Sequence, residues 1–460
     1  MRDQEDTVKR RVTLALIVLA VACLWAASLT HRPLLAMRAS LHLNPAQPLE
    51  NAPPLVAFTT VALGGFRGLI ADVLWIRATD LQDEAKYFEI AQLADWITEL
   101  EPRLTPVWAF HAWNMAYNIS VLFPEPEDRW HWVQNGVRLL RDGGIKYNAG
   151  DPLLYRELGW LYQDKIGSEW DDAHMYYRQK LVEQVRAAFD GPRPDYSALA
   201  APGPEPGRRL RQELGMEPKV MAALDREYGP LDWRMPETHA LYWAQMGVRA
   251  ANGRSLECDR MTFQCMAALF RQGRPVFGPD NRLCFTLPDT VLLGQVIHAY
   301  EQAAAKYRGG GVRAAYANFL HEATMTFYAF NEKSEAVRLH AQLAKLFPEE
   351  HVGDFDGYVR RAVERRIRSM TPAEAAQDVE HVLVQKHFWA AVGERGRAEG
   401  LDRLAVELRE VYLATAPEAV AKAFPGIGNL RAAAREHALS ALPEPLRSRA
   451  AESPEPDDRS

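Results

Sequence analysis

Nineteen consecutive residues, Val12 to Thr30, carry no charge. As an α-helix they would span about 28 Å at ~1.5 Å per residue, close to the ~30 Å hydrocarbon core of a bilayer. No other stretch of the chain is as long and as free of charge. Arg2, Lys9, Arg10 and Arg11 precede it, and Arg32 and Arg38 follow. The excess of basic residues before the run predicts one crossing with the N-terminus in the cytoplasm and the rest of the chain outside it. Two processing routes compete with an intact anchor. Ala20-Val21-Ala22 offers small residues for signal cleavage, and Cys23 behind them suggests lipidation. The apolar run nevertheless continues through Ala27, further than a signal peptide needs. The position three before Cys23 is Ala20, where a lipidation motif prefers leucine. The reading is an uncleaved anchor.

A second apolar stretch, Leu55 to Ile76, contains Arg67, Asp72 and three glycines. A charge near the centre of a membrane helix costs at least ~2.5–3.5 kcal/mol, so this stretch predicts a buried or interfacial helix. Beyond it the chain reads as all-α. Thr105-Pro106, Asp151-Pro152 and Thr371-Pro372 place a capping side chain before a helix-starting proline, and Thr371 with Glu374 forms a capping box. Apolar residues recur at helical spacing, as in Leu154, Leu158, Leu161 and Tyr162. Only Arg274–Leu287 could pair as strands, and a loop reads it equally well.

The helices are expected in pairs. Tyr155, Leu158, Gly159 and Tyr162 fall on the W-x2-L-G-x2-Y positions of a tetratricopeptide repeat. Leu320, Ala323 and Phe327 take the first-helix places of a second copy, with Ala336 in its second helix. His239–Ala251 reads as a further first helix. The chain thus resembles tetratricopeptide-repeat proteins, with insertions breaking the repeat length. Gly64–Ser120 is similar to the corresponding segment of an uncharacterised group of bacterial membrane-anchored repeat proteins. That resemblance implies a bacterial envelope setting; with the charge asymmetry around 12–30, the expectation is a single-pass anchor in the inner (cytoplasmic) membrane and the bulk of the chain in the periplasm or otherwise outside the cytoplasm.

The expected fold is therefore a single N-terminal transmembrane helix followed by a degenerate helical-hairpin solenoid. Its parts are a cytoplasmic tail (1–11), the anchor (12–30), a linker (31–54), aromatic-rich repeats (55–189), a Pro/Gly-rich linker (190–207), a second repeat half (208–440) and a disordered tail (441–460). The linker is delimited by composition, with five prolines and three glycines in eighteen residues. It reads as an excursion between two half-solenoids or as a hinge between domains.

The 54 basic and 60 acidic residues give a net charge of −6, and a nucleic-acid partner needs a basic face. No phosphate loop, HExxH, GxSxG or kinase signature is present. Gly309–Gly311 reads as a loop and the acids at 349–356 as a solvated turn. His381 and His387 fall on different helix faces, so no metal, cofactor or catalytic group is expected. Cys258 and Cys265 would lie ~10 Å apart on one helix, too far to bridge. That leaves free thiols, or one disulfide through Cys284.

Seven tryptophans fall between Trp96 and Trp170. Most suit packing between repeats, while Trp108, Trp113, Trp130 and Trp132 are candidates for contact with a partner. Trp130 and Trp132 are two apart and cannot share one helix face, so one of them should face outward. A solenoid on a membrane tether fits a scaffold or adaptor that binds a protein partner in the envelope without doing chemistry. The alternatives are a glycan- or ligand-binding module and, less favoured, a cell-wall-directed enzyme, each using the Trp-rich half. Topology is testable directly. Protease added to spheroplasts should cut within 190–207, and protection there with cleavage in lysed cells would reverse the orientation.

Overall fold

The computed structural model describes residues 66–201 and 205–452, together with Val18, Leu19, Ala22 and Trp25. Apart from those four positions, which are helical and exposed, the expected anchor at 12–30 lies outside the described residues, as do 1–11 and 31–54. No described helix is long and apolar enough to cross a membrane. The chain divides into two compact units, Met1–Arg67 and Gly68–Ser460. The second unit is mostly helical.

It opens on α1 (Phe66–Asp83), α2 (Tyr87–Leu100), α3 (Thr105–Trp113) and α4 (Pro126–Arg138). In α1, Ala71, Ala78 and Leu81 turn inward. Leu69, Val73 and Ile76, at one-turn spacing on the opposite side, stay about 60% exposed. Of the second apolar stretch, residues 55–65 lie outside the described residues, and the part 68–76 is buried on one face only. Thr105 sits inside the first turn of α3, behind Leu104, and does not cap it as expected. Asp151 does cap α5 (Pro152–Trp160), accepting from the Leu153 amide.

Helices α6 (His174–Ala188), α7 (Tyr196–Ala200), α8 (Glu205–Arg209) and α9 (Pro218–Tyr228) follow, then α10 (Pro236–Ala250) and α11 (Leu256–Gln272). The partner of α5 is not the next helix but α10, with α6–α9 inserted between them. The two run antiparallel at very short range. A Cβ on Gly159 would lie 3.2 Å from the Ala240 carbonyl oxygen, and one on Gly247 would lie 3.1 Å from the Tyr155 Cβ. Tyr155, Leu158 and Tyr162 are buried along this seam. Glycine at both ends lets the two helices approach.

The proline-rich stretch is a correction. The expectation of an irregular linker at 190–207 meets α7, which Asp195 caps through the Ser197 and Ala198 amides, and the start of α8. Pro206 stands in the first turn of α8, where its missing N–H costs nothing. Leu199 is buried, and the Trp233 amide donates to the Pro192 carbonyl. The stretch belongs to one compact unit and does not divide two domains.

Arg274–Leu287 forms an antiparallel hairpin of β1 (Arg274–Phe277) and β2 (Leu283–Leu287), with a bulge after Val276. The succession then continues through α12 (Leu293–Lys306), α13 (Gly310–Ala329), α14 (Lys333–Leu346), α15 (Phe355–Ile367), α16 (Pro372–Ala391), α17 (Arg395–Thr415), α18 (Glu418–Ala423) and α19 (Ile427–Ala441). Here sequence neighbours do pair, α13 with α14 and α16 with α17. Leu320, Ala323, Phe327 and Ala336 are all buried. The Thr371–Glu374 capping box starts α16. Asp402 on α17 accepts from Lys386 Nζ on α16 (2.7 Å) and from Arg431 Nη2 on α19 (2.7 Å). Burial pushes this carboxyl up, but the two cations outweigh it and hold it below its usual range.

The end of the chain is a second correction. Where residues from 441 were expected to be disordered, α20 (Leu446–Ala451) folds back onto α16. Leu442, Leu446 and Ala450 are buried at one-turn spacing against Ala391. That apolar stripe offsets the polar composition around it. Residues 453–460 lie outside the described residues.

Three histidines set the response to acid. Burial lowers His111, His239 and His387 to about 4 from 6.5. The unfolded chain therefore binds more protons between these values. Stability is complete above pH 6.5 and is lost as pH falls toward 4, by up to about 3 kcal/mol per histidine at the limit. The melting temperature should fall continuously from pH 7 to 4.5. A curve that stays flat across that window would contradict the burial of these rings.

Candidate functional site

The four tryptophans singled out as partner contacts divide into two classes. Trp108 is buried, donates its indole N–H to the Pro102 carbonyl (3.0 Å) and lies against Gly143, where a Cβ would stand 2.5 Å from the ring. Trp130 is buried and stacked on Tyr177 at 5.8 Å. Neither is available to a partner, which corrects that expectation for both. Large rings on α3 and α4 gain more from filling the space between helices than from the surface. Trp132 is half-buried between Phe88 (5.7 Å) and Phe123 (6.2 Å). Trp113 is 37% exposed and stacks on Tyr117 at 5.6 Å. Trp130 and Trp132 thus have different surroundings, the first in the core and the second half-buried against Phe88 and Phe123.

Among the described residues the most exposed tryptophan is Trp170, at 92%. It stands on the loop 167–173 between α5, with its π-helical extension Leu161–Ile166, and α6. Polar anchors hold this loop. The Arg178 guanidinium, 3% exposed, donates to the Gly167 carbonyl. Arg178 also faces the buried Glu237 at 3.6 Å, and Glu237 accepts from Gln272 Nε2 at 2.7 Å. At the far end of the loop Asp171 accepts from Lys165 Nζ (2.5 Å), Arg129 Nη1 (3.2 Å) and the Ala173 amide (2.9 Å). The loop separates two concavities.

The larger has a volume of about 590 Å³. Its floor is apolar: Val363, Val382, Leu401, Leu404 and Leu408 from α15, α16 and α17, with Met325 and Phe330 from α13 and its end. Its rim is charged. Arg271 grips Glu322 with two nitrogens, Arg366 pairs with Asp378 at 2.8 Å, and Glu169, His381 and Gln385 complete it. Trp389 lies beneath, packed edge-on against Phe330 at 5.0 Å, with the Arg397 guanidinium over both rings at 4.7 and 5.1 Å. The smaller concavity, about 320 Å³, lies on the other side of the loop, beside Trp170, Tyr117, Asp164 and Lys165.

An apolar floor with paired charges at its edge has the shape and polarity to seat an apolar segment. Among the described residues no group of three His, Cys, Asp or Glu is placed to hold a metal. Cys258, Cys265 and Cys284 are free thiols. Burial raises all three above the ordinary thiol range, the condition of an unreactive cysteine. Sequence reasoning missed the groove floor because its leucines and valines look like any other helix core. The prominence of Trp170 had a signal, a tryptophan alone in the polar run Gly-Ser-Glu-Trp-Asp-Asp.

The two classes of tryptophan separate under truncation. Trp130→Ala should cost about 3–5 kcal/mol through the cavity it leaves, whereas Trp113→Ala should cost much less because its ring already meets water. Denaturant unfolding of both variants checks this, and equal losses would mean that Trp130 is not a core residue.

No protein-family model matches the chain and no curated protein does, so the functional reading is built from the geometry of these two concavities.

Proposed function

We propose that the chain is a membrane-anchored helical-repeat scaffold that holds a segment of a protein partner in the concave groove formed by α13, α15, α16 and α17. The observation that carries this reading is the pairing of an apolar floor with a rim of ion pairs in about 590 Å³. An extended peptide or one face of a helix seats its apolar side chains on such a floor and meets the charges with its polar ones. Helix-pair arrays characteristically present surfaces of this kind. Leu320, Ala323, Phe327 and Ala336 support the tetratricopeptide-like reading of the pair α13–α14, whose first helix forms one wall, since all four are buried at 0–4% exposure. The uncharged run at 12–30 and the basic residues before it support a single-pass anchor in the inner membrane, with the groove outside the cytoplasm. In this reading the protein works by binding and not by catalysis.

The test uses the full chain in its own membranes. A photo-crosslinking residue replaces Gln385 on the groove wall or Lys422, an exposed residue of α18. The Gln385 position should crosslink a defined protein and the Lys422 position should not. Met325→Trp, which fills the half-buried groove side, should reduce that crosslink at least about tenfold with little change in melting temperature. Capture that survives Met325→Trp, or capture at Lys422 alone, would overturn the groove as the partner site.

A further inference from the structure

The smaller concavity is a site of a different kind. Two π-helical segments supply its walls: Asn114–Ile119 brings Tyr117, and Leu161–Ile166 brings Asp164 and Lys165. π-turns inside α-helices are rare and recur at functional sites. The Tyr117 hydroxyl donates to Asp164 Oδ1 at 2.7 Å. The Lys165 ammonium, in a side chain only 4% exposed, lies 5.2 Å from the Tyr117 ring centre and pairs with Asp171. Asp171 is committed to holding this framework, through Lys165, Arg129, the Ala173 amide and the Tyr177 hydroxyl.

What remains for a ligand is a mixed set. Asp164 has a second carboxylate oxygen, Lys165 has further ammonium hydrogens, and Ser168 and Asp172 contribute a hydroxyl and a carboxylate at the rim. Beside these polar groups stands Trp170, 92% exposed, a flat apolar surface kept in water by a well-anchored loop. Val121 extends that apolar edge at 48% exposure.

We infer that this concavity binds a neutral saccharide. A pyranose ring presents an apolar C–H face and an equatorial belt of hydroxyls that both donate and accept. An open indole face beside alternating carboxylate, ammonium and hydroxyl groups matches both features at once. The volume, about 320 Å³, lies at the low end of the ~300–1,000 Å³ range of small-ligand sites, and suits one or two rings. The three carboxylates Asp164, Asp171 and Asp172 outnumber Arg129 and Lys165, which disfavours phosphate and acidic sugars. A protein hot spot would instead require a desolvated apolar surround for the indole, and here its neighbours are charged. This site is separate from the peptide groove and does not depend on that reading.

The experiment titrates the full chain in detergent with neutral oligosaccharides built on glucose, galactose, mannose and N-acetylglucosamine, read by calorimetry and by tryptophan fluorescence. At least one should bind at micromolar to millimolar concentration and change the fluorescence. Trp170→Ala should abolish the fluorescence change and weaken binding at least about tenfold, with an unchanged melting temperature because the ring is in water. Asp164→Asn should weaken binding while leaving the Trp170 signal available as a reporter. Absence of binding by every sugar, or equal binding by Trp170→Ala, would overturn the inference. So would loss of the protein crosslink in Trp170→Ala without any saccharide binding, which would make the indole a protein contact.

Discussion

The fold turns on how closely α5 and α10 approach. Gly159 faces the Ala240 carbonyl and Gly247 faces the Tyr155 Cβ, so neither end of the contact leaves room for a side chain. A Cβ at either glycine would also stand 2.6 Å from a sulfur of α11, Met261 Sδ or Cys258 Sγ, and overpacking of that kind costs ~1–3 kcal/mol. Met261 and Cys258 of α11 also lie within van der Waals range of these glycines, so the third helix is seated by the same contact. From α11 the succession of hairpins that builds the groove walls continues. A loosened seam would displace the Trp170 loop as well, because Glu237, the anchor of Arg178, stands in the first turn of α10.

The two concavities use opposite electrostatic means. In the larger, the charges are already paired at the rim, Arg271 with Glu322 and Arg366 with Asp378. A partner seated there, as proposed, would exchange these bonds without leaving a charge bare, which favours selectivity over strength. In the smaller, Lys165 is almost wholly out of water, and its charge is sustained by Asp171 and by two tyrosine faces. Burial still pulls this ammonium below its usual range, with Asp171 opposing. A ligand hydroxyl there meets a donor that water reaches poorly.

Much of the fold is legible in the order of residues alone. Proline after a capping residue marks the starts of α5 and α16, and apolar spacing marks their buried faces. Gly159, within Tyr155–Tyr162, does stand at a close helix contact. The sequence there does not identify the partner, since a buried pattern states that a face is covered and not by what. The same limit applies to the aromatics. Trp130 and Trp170 are the same residue type, one stacked on Tyr177 and the other in solvent, and only the polarity of the surrounding run distinguishes them. Composition misleads at the Pro/Gly-rich stretch 190–207 and in the described part of the tail from 441. Prolines at helix starts and a short stripe of Leu442, Leu446 and Ala450 are enough to order segments whose average character is that of a loop.

The insertion of α6–α9 between α5 and its partner has a consequence in time. A hairpin such as α13–α14 can close as soon as its second helix has been made, because the intervening chain is a short turn. The seam of α5 cannot form until α10 exists, after the whole insertion has emerged, and closing so long a loop carries an entropic cost before any contact rewards it. During synthesis the apolar face of α5 therefore waits uncovered, while later hairpins have no such delay. The order of emergence thus makes the first half of the molecule the part most in need of protection until Gly247 arrives.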